Sequence, residues 1–564
     1  MSPKKSSQQQ AHSETVHWKK TLAKALVSGS EWPDKDELLD VLYWGRQLLA
    51  LMIGIFWGFI PLHGFLAIVL YVVISTAVGQ LYATNFQKVD EDSLGGFWEL
   101  AKEGFGSAFA TFMVSWIEAS VAGHKVSILF VILSQNADYD ARRTSALFTS
   151  LEKQISENAN LHADILRTYE DLPGVTGTWA VWPMLESLSQ KYNDTLFDWL
   201  LICEPDTVLN VSALVEYLSS FDRNTVHAIG RGLSDVTYTI IHHFFKYEDE
   251  GEHFLYPDFA AGLAISWALL NHTNVLAWKG FTIDAKHEFA RLLKDKRDIR
   301  LNNTLSFCLV EHESQCITQY VQPDFQCGNK ITNDDVYFAI KTFSEFHKTR
   351  LVIVKRTWAK MAKFVEYFSD IEDHYVPTVN LGIKNTERGH CGKTFGIMKY
   401  YLRSEEVLRT KWLVIVDDDT LMSVPRLYEL LSCYDVEKGI IIGERYGYGF
   451  SADGRDGYDY PTGGAGMIFS RKAVEKIATS CGCPSIDSPD DMVIGMCARL
   501  LDIPIIHSAA FHQARPEDYS ELYLKRIRPI SFHKFVDIDP YKIYMERLHE
   551  TSAQTASHPV HSEL

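Results

Sequence analysis

The sequence predicts an α/β protein in which two tandem, doubly wound domains follow a helical membrane module of two or three transmembrane helices. Three observations carry this. Residues 48–60 (LLALMIGIFWGFI) and 65–83 (FLAIVLYVVISTAVGQLYA) are apolar enough to cross a bilayer. From residue 125 onward, short β-branched runs alternate with amphipathic stretches, the pattern of strands covered by helices. The chain also repeats itself: residues 197–222 (FDWLLICEPDTVLNVSALVEYLSSFD) align without gaps on 410–435 (TKWLVIVDDDTLMSVPRLYELLSCYD), 213 positions later, with 11 of 26 residues identical.

Taken in order, residues 1–40 form a polar leader carrying Lys4, Lys5, Lys19, Lys20 and Lys24. That charge predicts a cytosolic N-terminus, and a leader of this length excludes a cleavable signal peptide. The membrane module, residues 41–120, pairs its two spans through a tight turn at Pro61, Leu62, His63 and Gly64. A third segment, Gly104 to Ile117, is apolar but short and runs into Glu118. Three spans place everything after residue 125 in the lumen, whereas two leave it in the cytosol. The first α/β domain, 125–330, has strands predicted at Val126–Leu133 and Trp199–Cys203. The second, 331–545, has them at Val336–Ile340 and Trp412–Val416, and a tail of residues 546–564 follows.

The net charge of -17 and pI near 5.7 exclude a nucleic-acid partner, which would need a basic face. All nine cysteines follow residue 202, with no zinc-ligand spacing. They predict disulfides with at least one thiol left over. Four N-x-S/T sequons, at Asn193, Asn210, Asn271 and Asn302, fall in the same region and favour the three-span, lumenal arrangement.

The two copies differ where chemistry would sit. Asp417, Asp418 and Asp419 end a strand in the second copy, and the first has Glu204, Pro205 and Asp206 there. Open α/β sheets place ligands just beyond the carboxyl ends of strands. Three adjacent carboxylates need a cation, best a hard one such as Mn²⁺ or Mg²⁺. Gly463, Gly464 and Gly466 in YPTGGAGMIFS mark a loop where backbone can approach a ligand. DSPDDMVIGM (487–496) reads as a helix start with Ser488 as cap and Pro489 first. Either Asp490 or Asp491 would be a general base there. His507 and His512, in HSAAFHQARP, are imidazoles suited to the same cation. Metal, carboxylates, glycine loop and separate acid together point to transfer from a diphosphate-activated donor.

Two resemblances sharpen these expectations. EWPDKDELLDVLYWGRQLLALMIGIFWGFIPLHGFLAIVLYVVIS, with GGFWELAKEGFGSAFATFMVSW, resembles the Rab-five-interacting factor family of ER membrane proteins over residues 31–117. That likeness implies membership of a membrane-protein assembly complex and departs at Glu118. Residues 125–545 resemble the Fringe-related glycosyltransferase family 31, its beta-1,3-glucosyltransferases above all. The likeness rests on NTERGHCGKTF, WLVIVDDDTL, GERYGYG, PDDMVIGMC, FHQARPEDY and RPISFHKFVDIDP, and in the first copy on YPDFAAG and FTIDAKHE. It implies two GT-A-like (Rossmann-like) domains, the first non-catalytic, and inverting transfer of glucose from UDP-glucose to the 3-hydroxyl of O-linked fucose on thrombospondin type 1 repeats. It also implies that Asp419 and His512 bind Mn²⁺, that Asp417, Asp418 and the glycines serve the donor, and that Asp490 or Asp491 is the base. The implied location is the ER membrane with the catalytic part lumenal, and the final His561-Ser562-Glu563-Leu564 is similar to an ER-retention signal. The alternatives are a Fringe-like transferase using UDP-N-acetylglucosamine or UDP-galactose, and a non-enzymatic assembly factor.

Overall fold

The computed structural model describes residues 18–550 except 60–63, 91–94, 123–124, 193–196, 246–253, 271–276, 311–314 and 326. The turn residues Pro61 to His63, two sequons (Asn193 and Asn271) and the C-terminal tetrapeptide therefore lie outside the described residues. The chain divides into two compact units between Lys125 and Val126.

The N-terminal unit is helical, with α1 (Lys35–Phe59), α2 (Phe65–Leu81) and α3 (Phe105–Ala122). Residues Lys35–Gly58 and Phe65–Phe86 are long and apolar enough to cross a membrane. The third helix continues past Glu118 to Ala122 rather than ending at Ile117. Close approach of α1 to α3 rests on Gly54, where a Cβ would fall 2.0 Å from Ser115 Oγ. Tyr71 of α2 stacks on Phe112 of α3, with ring centroids 4.0 Å apart.

The larger unit contains two main sheets. In the first, β1 (Val126–Ile132), β2 (Leu161–Arg167), β3 (Trp199–Cys203), β4 (Ala228–Gly230), β5 (Leu263–Ser266) and β6 (Asn302–Asn303) lie in the order β6-β4-β5-β3-β1-β2. The second comprises β7 (Val336–Lys341), β8 (Phe364–Ser369), β9 (Thr378–Asn380), β10 (Trp412–Asp417), β12 (Ile441–Gly443), β15 (Met467–Ser470) and β16 (Ile505–His507). Their order is β9-β8-β7-β10-β15-β12-β16. A small sheet beside it joins β11 (Thr420–Met422) to β17 (Ser531–His533), while β13 (Arg445–Tyr448) pairs with β14 (Tyr458–Pro461).

Apart from the extra edge strand β9, the two large sheets share strand order and direction. β1, β2 and β3 run parallel, as do β7, β8 and β10, and in each sheet the next strand reverses. Registers agree too: Trp199 faces Ser266 as Trp412 faces Ser470. The central strands are buried throughout, which is why they read as continuous apolar runs rather than as alternation. Eight of the nine cysteines pair, as Cys308–Cys316, Cys327–Cys433, Cys391–Cys483 and Cys481–Cys497, and Cys203 is free and buried.

Candidate active site

At the end of β10 the apolar run stops at Asp417, and parallel pairing with β7 sets Lys341 directly beside it. Lys341, 5% exposed, sets its ammonium 3.0 Å from Asp417 Oδ1 and 2.7 Å from Asp490 Oδ2. Burial opposes ionisation of Asp417, yet the Lys341 charge outweighs it and holds the carboxyl below its usual range. Asp418 accepts hydrogen bonds from Thr342 Oγ1 at 2.7 Å and Arg350 at 3.3 Å. Burial, reinforced by repulsion from Asp419, still pushes it up to about 6. Asp419 is buried as well, but His533 and Arg350, at 3.0 and 2.9 Å, keep it ionised.

His533 is the imidazole at this cluster. It is delivered by antiparallel pairing of β11 with β17, which sets it opposite Thr420, the residue after Asp419. Its Nδ1 lies 3.0 Å from the Gln513 carbonyl oxygen, so Nδ1 carries a proton and donates it. Nε2 is thereby turned toward Asp419 and, at 3.7 Å, toward Asp417. Ligand atoms of Asp417, Asp419 and His533 all lie within 4.8 Å of one another. Two carboxylate oxygens and an imidazole nitrogen anchored through its other nitrogen form a donor set that fits a hard or borderline divalent cation.

His512 is not brought to this cluster. It is fully buried, stacked 4.6 Å from the Phe532 ring, with Nδ1 donating to the Ser531 carbonyl and Nε2 without a partner. Burial drives its pKa down to about 3, so it stays neutral beneath the strand that carries His533. His507 faces elsewhere, its Nδ1 accepting from the Arg445 backbone. The glycines have local tasks. A Cβ on Gly464 would fall 2.3 Å from His533 Nδ1, so its missing side chain makes room for the imidazole; Gly466 adopts φ +103°. Gly463 lies beside Lys341, with a would-be Cβ 3.9 Å from its Nζ.

Across the site, helix α7 (Asp490–Leu500) starts one residue later than the sequence predicts: Pro489 takes the cap position and Ser488 makes no cap hydrogen bond. Asp490 is saturated by Lys341 and by Thr394 Oγ1 at 2.6 Å, and despite burial it is held low. Asp491 has no side-chain partner among the described residues and accepts from the Met492 amide at 2.7 Å. Burial, with the charge of Asp490 behind it, pushes its carboxyl up to about 7. Two neighbouring acids are thus pushed in opposite directions, which sequence alone leaves undecided.

The position of α7 is fixed by its neighbour α6 (Cys391–Arg403), which supplies Lys393 and Thr394. Disulfides Cys391–Cys483 and Cys481–Cys497 tie the two helices through one short loop. Gly389 lets the chain ahead of α6 lie on residues 487–488, where a Cβ would fall 2.2 Å from the Ser488 carbonyl. Lys393 donates to the Thr342 carbonyl at 2.6 Å. His533, Lys341, Arg350, Lys393 and Thr394 are the residues that sequence reasoning missed. Two quoted motifs, RPISFHKFVDIDP and NTERGHCGKTF, contain three of them, and a charged Lys341 closing an apolar strand was a readable signal.

A Fringe-like family model matches residues 331–552, which include every residue of this cluster. Drosophila melanogaster Fringe glycosyltransferase is 28% identical over 206 residues, 32% of this chain and 49% of that protein. The likeness to beta-1,3-glucosyltransferases is broader. The mouse (Mus musculus) protein is 42% identical over 74% of this chain and 86% of its own length, and the human (Homo sapiens) one 43% identical over 74% and 84%. The chain belongs to the beta-1,3-glucosyltransferase family and is a hexosyltransferase. Its N-terminal unit matches an EMC6 family model over residues 41–119. Over 102 residues, 18% of this chain and 79% of that protein, it is 50% identical to the dog (Canis lupus familiaris) GEL complex subunit OPTI.

Proposed function

We propose that the chain is an inverting transferase of the ER membrane, its catalytic part lumenal, that moves glucose from UDP-glucose to the 3-hydroxyl of O-linked fucose on thrombospondin type 1 repeats. The observation that carries the reading is the separation of two kinds of acid. Asp417 and Asp419 are held ionised beside His533, whereas Asp491 stands apart near neutrality. Inverting transfer needs one group set that meets the departing diphosphate and another that takes the acceptor proton.

Asp419 and His533, with Asp417 beside them, would hold Mn²⁺, which when bound neutralises charge on the departing diphosphate. Asp491 takes the proton of the fucose 3-hydroxyl. The hydroxyl oxygen bonds to the anomeric carbon from the face opposite the diphosphate. The anomeric C–O bond breaks with its electron pair leaving on UDP, so the configuration inverts. Asp490, paired with Lys341, orients the start of α7 rather than accepting a proton.

Both large sheets are read as GT-A-type domains, 125–330 non-catalytic and 331–545 catalytic, on the ground of their common strand order. Four disulfides and a third helix, α3, support a lumenal position for them. A second role is favoured for residues 31–117, docking in a membrane-protein assembly complex, because of the likeness to OPTI.

The test is sugar transfer by the full-length chain in detergent with Mn²⁺, offering UDP-glucose, UDP-galactose and UDP-N-acetylglucosamine to O-fucosylated and bare repeats. Transfer from UDP-glucose alone, only to the fucosylated repeat and absent in Asp419→Ala, is expected. Transfer from another donor would reassign the sugar. No transfer by folded protein would put the assembly role first.

A further inference from the structure

We propose that the cavity at the strand ends of the first sheet is a second binding site, for a neutral pyranose. The cavity, of about 180 Å³, occupies in the first copy the place that the catalytic site occupies in the second. Glu204 and Asp206, on the turn after β3, line it, as does Lys286 near the start of helix α5 (Ala285–Arg297), and the second half supplies Glu444, Arg445 and Tyr523 as the facing wall.

What selects the ligand is which charges remain unengaged. Arg143 is paired with Asp206, Arg526 with Asp258, Lys286 with Asp284 and Arg528 with Glu429. Each of these cations is answered by a carboxylate, so the lining offers no excess positive charge to a diphosphate. With Asp206 held by Arg143, the two acids on the turn do not converge as a metal site either. Two groups are left over. The Glu204 carboxylate has no hydrogen-bond or ion-pair partner among the described residues. Arg445 has no carboxylate partner among them; its guanidinium lies over the Trp179 ring, 4.8 Å from the centroid, its Nη1 reaches Gln135 Oε1 at 3.3 Å, and its Nε is without a partner. One acceptor-only group and one donor-only group, in a cavity whose lining also includes Phe325 and Tyr434, suit a ring of hydroxyls. Sugar hydroxyls donate to the carboxylate and accept from the guanidinium, and the C–H face of the ring packs on an aromatic side chain.

The site goes beyond the transfer reaction and does not depend on its donor or acceptor. The ligand is a free sugar or the terminal residue of a glycan chain. The test is saturation-transfer NMR on the full-length protein in detergent micelles, with methyl glycosides of glucose, galactose, mannose and fucose, a fucosylated glycopeptide, UDP and inorganic phosphate. At least one methyl glycoside is expected to bind wild type and Asp419→Ala equally. Its affinity should fall at least tenfold in Glu204→Gln and in Ala509→Leu, which fills the cavity without altering charge. Glycopeptide binding that shows the same dependence identifies a glycan terminus; its exclusion identifies a free sugar, and either result upholds the pyranose site. The proposal is overturned if no glycoside binds, or if binding is lost in Asp419→Ala and kept in both cavity variants. Binding of UDP or phosphate that Ala509→Leu abolishes would overturn it equally. Melting curves of the two cavity variants establish that each is folded, and Ala509→Leu decides alone if Glu204→Gln is not.

Discussion

The two large sheets of this protein have the same strand order, the same directions and the same register between their central strands, yet they end differently. Where β10 leads into Asp417 and Asp419 beside the His533 imidazole, β3 leads into a Glu204 carboxylate unpartnered among the described residues, Pro205 and an Asp206 paired with Arg143. The helices facing them differ in the same sense. Asp491 of α7 is half-buried and accepts from the Met492 amide, with no side-chain partner among the described residues, whereas Glu288 of α5 is wholly buried, hydrogen-bonded to His243 and to the Ile283 amide. A common scaffold therefore fixes where a site can be, and a few residues beyond the strand ends decide whether it is one.

That contrast is broken most severely at Asp419. Asp419→Ala should lower kcat by about 10³-fold or more, since the charge of the departing diphosphate loses its main counter-group. Loss of its pairs with Arg350 and His533 should lower the melting temperature while leaving the protein folded, and single-turnover kinetics beside calorimetry will check both.

Asp491→Asn comes next, with a loss on the order of 10²–10³-fold, the usual contribution of a general base. Its signature is in the pH profile. A base with a pKa near 7 is active only when deprotonated, so wild-type kcat/KM should rise through about pH 7. The Asp491→Asn profile should be flat there. If Asp490→Asn flattened the profile and Asp491→Asn did not, the assignment of the two acids would be reversed.

His533→Ala should cost about 100-fold and raise the Mn²⁺ concentration needed for half-maximal rate. His512→Phe should leave that concentration unchanged, because its imidazole lies under the strand. Equal effects of the two would mean that the buried histidine reaches the metal.

In the first copy the corresponding break falls on stability. Asp206→Ala leaves Arg143 near Asp140 alone. It should destabilise the protein by roughly 1–3 kcal/mol, below a fully buried pair because both groups keep some solvent. Transfer rate per folded molecule should stay within a factor of about two, measurable by urea titration and rate assays on the same samples.

How much of this was legible beforehand depends on whether a feature is local. Trp199 and Trp412 head apolar runs whose alignment forecast two sheets, because strands buried on both faces leave a continuous hydrophobic signature. The aspartates at the end of β10 were equally plain. His533 was not, since its place beside Asp419 is set by pairing between residues more than 100 positions apart, and nothing local distinguishes it from His512. Asp490 and Asp491 could not be told apart for a related reason. Lys341, which settles their protonation, reaches Asp490 from 149 positions away. Disulfide partners were also beyond reach, though the odd thiol was expected.

That thiol gives the smallest effect and the cleanest comparison. Cys203 ends β3 at the position held by Val416 in β10, and it is completely buried. Burial pushes its pKa up to about 12, so the thiolate that disulfide exchange requires is scarce in the folded state. Its role is that of a small apolar side chain. Cys203→Val makes the first strand end like the second and should change stability by less than about 1.5 kcal/mol, as near-isosteric core exchanges do. Peptide mapping without reduction should return the same four disulfides, and alkylation of wild type should require unfolding. A changed disulfide pattern in Cys203→Val would mean that the thiol takes part in pairing as the protein folds, and that the two strand ends differ in more than the groups they present.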